Sequence, residues 1–101
     1  AIYQSGFQKM SELEKLRKNL KEKRLKARLY FEGVKYVIVL NNQTIVEEKT
    51  TGLHVKWFQA FGNKTLNDIF KHFKLSKIII SNGKEEKEFK TLIDAINYLL
   101  F

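Results

Sequence analysis

Four basic side chains, Arg17, Lys21, Arg24 and Arg28, follow one another at intervals of four, three and four residues. On a helix turning about 100° per residue they fall within about 60° of arc and make one cationic stripe. The chain holds three arginines and all of them lie on this stripe; every other basic residue is a lysine. A guanidinium offers a planar fork of donors that matches phosphate or carboxylate oxygens, which a lysine ammonium does not. The stripe therefore reads as a phosphate grip, with Lys18 beside it in support. It sits in KLRKNLKEKRLKAR, residues 15–28, where eight basic side chains face one acid, Glu22. That segment carries all but one unit of the formal net charge of +8. Charge concentrated in this way implies a localised footprint for a polyanion, DNA or RNA, rather than a generally basic surface.

Cations spaced i,i+4 destabilise an isolated helix by roughly 0.2–0.5 kcal/mol per pair. The stripe thus calls for an external anion, or for acids from elsewhere in the fold. GKEEKEF, with Glu85, Glu86 and Glu88, is one internal source. Beside the stripe, Leu13, Leu16, Leu20 and Ala27 form a narrow apolar line, joined by Phe31 if the helix runs that far. This line suits either the chain's own core or a coiled-coil-like homodimer through Leu13, Leu16 and Leu20, which leaves the cations as solvated flanks. Amides that read base edges are scarce here, Asn19 being the one on the segment, so little sequence preference is expected. Tyr30, Tyr36 and Trp57 have the chemistry to stack on single-stranded bases, although such positions more commonly belong to a core.

The strongest hint of catalysis is TIVEEK, residues 44–49, a strand that ends in Glu47-x-Lys49. With a helix and a hairpin before it, this segment resembles the E-x-K half of the PD-(D/E)xK nuclease superfamily, over roughly residues 12–81. The resemblance implies a Mg²⁺ held by two carboxylates and a lysine that positions or activates the attacking water. The family's aspartate belongs at the start of the preceding strand, where this chain has Val34-Lys35-Tyr36; Glu32 is the nearest acid and lies before Gly33. Glu85-Glu86-Lys87 fits the same short pattern. The reading adopted is non-enzymatic, with Glu47, Lys49 and Glu32 as weak catalytic candidates and Mg²⁺ expected under the nuclease alternative alone. His54 and His72 are far apart and lack a partner at ligand spacing, so no metal site is expected.

These residues need elements to hold them. A chain of 101 residues, 44% apolar, is long enough for one core without disulfides, and it has no cysteine. No apolar run approaches the roughly 18 residues of a membrane span, and IYQSGFQKM lacks the features of a signal peptide, so an intracellular, cytoplasmic protein with no membrane partner is expected. Three S/T-x-x-D/E pairs mark helix starts: Ser11 with Glu14, Thr65 with Asp68, and Thr91 with Asp94. LHVKWFQAF predicts a short helix before Gly62. VKYVIVL reads as a covered central strand, TIVEEK as its hairpin partner, and KIIIS with KEEKEFK as a hairpin closed by Asn82-Gly83. RLYFE, residues 28–32, fits equally the end of the basic helix or a first strand paired through Gly33. The expected fold is α+β in a single domain, residues 1–101. It comprises an irregular stretch over 1–10, a basic amphipathic helix over 11–32, and a core over 33–101. That core carries a mostly antiparallel sheet of about four strands and three shorter helices.

Overall fold

The computed structural model describes residues 4–41 and 43–100, with side chains described from Leu13 onward. The elements run α1 (Gln4–Lys23), β1 (Lys26–Phe31), β2 (Tyr36–Leu40), β3 (Thr44–Glu48), β4 (His54–Val55), α2 (Trp57–Phe61), α3 (Leu66–His72), β5 (Leu75–Ser81), β6 (Glu86–Phe89) and α4 (Leu92–Leu100). The strands form one sheet in the order β4-β3-β2-β1-β5-β6, with every neighbouring pair antiparallel. The class is α+β. Two strands exceed the expected four: β1, formed by the segment that also fitted a helix, and β4, cut from the start of LHVKWFQAF.

Two boundaries of the basic helix differ from expectation. Helical backbone begins at Gln4, so residues 4–10 are not irregular (residues 1–3 lie outside those described), and Ser11-Glu14 falls inside the helix. At the other end the helix stops at Lys23 instead of 32. The stop is a Schellman motif: the Leu25 N–H donates to the Leu20 carbonyl at 2.8 Å and the Arg24 N–H to that of Lys21 at 3.2 Å. The chain then has left-handed backbone at Arg24 and enters β1, whose alternating burial runs from exposed Lys26 through buried Ala27, Leu29 and Phe31. Strand pairing wins here because both edges of this segment find partner strands. Ala27 and Leu29 lie opposite Leu40 and Ile38 on one side and Ile80 and Ile78 on the other.

Those buried residues share one face of the sheet and form a single core with helix residues. Leu16 and Leu20 of α1, Phe61 of α2, Leu66 and Ile69 of α3, and Ala95, Ile96 and Leu99 of α4 all join it. The described helices thus pack on the same side, with α1 against α4. Phe31 meets Phe70 edge-on at 5.3 Å, and Tyr36 meets Phe61 at 5.8 Å, which seats α2 and α3 at one end of the sheet. The capping chemistry of α3 is as the sequence predicts. The Thr65 hydroxyl accepts from the Asp68 N–H at 3.2 Å, and the Asp68 carboxylate accepts from the Thr65 N–H at 2.9 Å. That backbone bond, with the hydroxyl's contact, holds the Asp68 carboxyl below the ordinary carboxylate range. Among the described residues no helix is long and apolar enough to cross a membrane.

Candidate functional site

The cationic stripe does not survive as one line on one helix, because α1 ends before Arg28. Its members go three ways. Arg17 is half-buried and donates from Nη2 to the Thr44 hydroxyl at 2.8 Å, tying α1 to the start of β3. Lys18 is an exposed helix residue. Lys21 and Arg24 stay exposed at the helix end, and Arg28 projects from β1 on the sheet face away from the core.

Chain reversal after Arg24 gathers other cations in place of those lost. Arg24, Lys26, Arg28 and Lys84 line one surface depression of about 640 Å³, together with Asn41, Ser81, Asn82, Gly83 and a single acid, Glu86. A second hollow of about 450 Å³ adjoins it at Arg24 and adds Lys21. The walls come from three stretches of chain: the α1–β1 junction, the end of β2, and the β5–β6 turn. They meet because β1 lies between β2 and β5, with Lys26 paired to Ser81, which in turn pairs with Glu86. The turn itself is closed by side-chain hydrogen bonds. Asn82 Oδ1 accepts from the N–H groups of Lys84 (2.9 Å) and Glu85 (2.8 Å), and Gly83 takes φ +92°, which a side chain would disfavour. Among the described residues, Lys21, Arg24, Lys26 and Lys84 have no acid at ion-pair distance, and Arg28 shares Glu47 with His54.

Arg24 is held there against local preference. It has φ +56°, the one described residue other than glycine at positive φ, at the position of a Schellman motif where glycine is usual. Left-handed backbone costs an ordinary residue roughly 1–2 kcal/mol, whereas glycine loses about 0.5–1 kcal/mol through its greater freedom when unfolded. Arg24→Gly is therefore expected to leave stability unchanged or raise it by up to about 1 kcal/mol in a denaturant titration, while removing a cation from both hollows. A fall in stability instead would show that the guanidinium supports the fold.

The chain matches no family model, no curated protein and no solved structure.

The remaining candidates are placed as follows. Leu16 and Leu20 have no exposed surface, and Leu13 packs half-buried against the same core, so the apolar line of α1 is used within the chain. Glu47 projects from the outer face of β3, with Oε1 3.6 Å from Arg28 Nε and Oε2 3.5 Å from His54 Nε2. Lys49 lies just past the end of β3, and Glu32 is an exposed turn residue after β1 whose N–H donates to the Lys74 carbonyl at 2.9 Å. Glu47 is thus engaged by Arg28 and His54, and among the described residues no three His, Asp or Glu side chains converge as metal ligands. Sequence reasoning missed Lys26 as a site residue, and also Lys84. The signal for Lys84 was present in Asn82-Gly83-Lys84, a tight turn that fixes a lysine at its exit, but nothing local showed what the turn would face.

Proposed function

We propose that the chain is a small non-enzymatic nucleic-acid-binding protein that holds phosphates at the corner formed by Lys21, Arg24, Lys26, Arg28 and Lys84. The observation that carries this reading is the convergence of cations from two distant stretches of sequence on one hollow with a single acid in its wall. Such a cluster repels itself, and a polyanion that bridges it relieves the repulsion and releases counterions. The corner also fits the expected weak sequence preference. The Asn19 amide donates to the Lys15 carbonyl of its own helix at 2.8 Å, and the Asn82 carbonyl oxygen is occupied by its turn. One polar atom of each of these amides is thus occupied within the fold, and the cations of the corner suit phosphates.

With about four phosphates neutralised, log K plotted against log salt should fall with a slope of about −3.6 on duplex DNA and about −2.8 on single strands. Fluorescence anisotropy of labelled single-stranded DNA, duplex DNA and RNA, between about 50 and 200 mM salt, measures this. Binding with a slope near zero, or no binding to any of the three, overturns the proposal.

A further inference from the structure

The four helices cover one face of the sheet; the described residues leave the other without a helical layer. Residues directed to that open face follow from the strand registers. They include Lys26, Arg28 and Tyr30 on β1, Val37 and Val39 on β2, Glu47 on β3, Lys77 and Ile79 on β5, and the acids Glu86 and Glu88 on β6. Val37 and Val39 are each only 4% exposed although neither belongs to the core cluster. Of the three aromatics that the sequence singles out for stacking, two are committed elsewhere. Tyr36 packs on Phe61, while Trp57 packs on Phe61 at 4.8 Å and donates its indole N–H to the Lys64 carbonyl at 2.7 Å. Tyr30 remains on the open face. Lys77 Nζ stands 4.9 Å from its ring centroid and Lys49 Nζ 6.0 Å from it.

β1 joins this ring to the basic corner. Its outward residues run Lys26, Arg28, Tyr30, and the first two already line the depression. At about 3.3 Å per residue the line from Lys26 to Tyr30 spans about 13 Å. Two of the acids nearby are paired: Glu47 lies between Arg28 and His54, and Glu88 between Lys77 and Lys90, each within 3.7 Å, while Glu86 in the wall of the depression has no ion pair among the described residues. We infer that the open sheet face seats a single nucleic-acid strand, which leaves the basic corner along β1 and stacks a base on Tyr30. Lys49 and Lys77 then turn from the ring to the flanking phosphates. An exposed lysine–aromatic contact is weaker than base–aromatic stacking, so the base displaces the ammonium. A duplex keeps its bases stacked inside and gains nothing from the ring. This inference rests on the corner's binding nucleic acid.

Two ligands separate the two claims: a short oligothymidylate and an abasic oligomer of equal length. Wild type should prefer the first by roughly 5- to 160-fold, the range of one stacked base. Tyr30→Phe should keep that preference. Tyr30→Ala should bring the ratio near one, with the abasic affinity and salt slope unchanged. An unchanged ratio in Tyr30→Ala overturns the stacking site and leaves the corner standing, whereas failure of wild type to bind either oligomer overturns both. Photo-cross-linking of a halogenated oligonucleotide to wild type needs no variant: adducts at Tyr30 support the inference, and adducts confined to Trp57 or Tyr98 overturn it.

Discussion

Leu20→Ala is expected to lower the free energy of unfolding by about 2–5 kcal/mol, with no change in sedimentation. Leu20 has no exposed surface and lies in the cluster that joins α1 to the sheet and to α4. Truncation removes its transfer free energy and leaves a cavity that a sheet on one side and a helix on the other close poorly. Its carbonyl also accepts the Leu25 N–H that ends the helix, so loosening at Leu20 loosens the turn that carries Arg24. For a domain of this size the loss is a large share of the usual 5–15 kcal/mol. Urea titration measures it. A homodimer seam would give a different result: the midpoint would depend on protein concentration and the sedimentation coefficient would fall on substitution. Leu13→Ala, at a half-buried position, should cost less than Leu20→Ala. Equal costs would mean that burial does not order these leucines.

That contrast shows what was legible in the sequence. Leu13, Leu16 and Leu20 announced an apolar helix face but not its partner, because a self-pairing seam and a core-facing stripe share the same spacing. The helix end was hidden for a sharper reason. The usual stop signal is glycine, and this chain stops on Arg24, while Ala27 and Phe31 satisfy both the helical and the alternating period. The Thr65-Asp68 and Asn82-Gly83 signals read correctly, since capping and tight turns depend on a few adjacent residues. The His54–Val55 strand was not legible: two residues set no period, and it exists because β3 offers an edge. The site was half legible. Lys21, Arg24 and Arg28 came from a helical pattern that turned out to be broken at Arg24, yet the break is what carries Arg28 onto the open sheet face. Lys84 joins them through the β1–β5–β6 pairing, a contact between segments far apart in the chain that no local pattern encodes.

A variant combining Arg24→Gln, Lys26→Gln and Lys84→Gln should remove most of the salt dependence of binding. Each phosphate contact contributes about 0.9 to the slope on duplex DNA and about 0.7 on single strands, so three losses flatten it by about 2–3. For the wild type, a fourfold rise in salt at a slope near −3.6 lowers affinity on the order of 100-fold; for the variant, at a slope near −0.9, about 4-fold. The three side chains are exposed and lack ion-pair partners among the described residues, so stability should change little. The comparison that decides the matter is charge-matched: Lys56→Gln, Lys64→Gln and Lys71→Gln together. These lysines belong to the α2–α3 region, which Tyr36 and Phe31 anchor at the other end of the sheet from the corner. If binding reflects net charge alone, the two triple variants weaken it equally and the corner has no special role. If phosphates sit at the corner, the control retains most of the wild-type slope, because charges more than a Debye length from the ligand, about 8 Å at physiological salt, are largely screened.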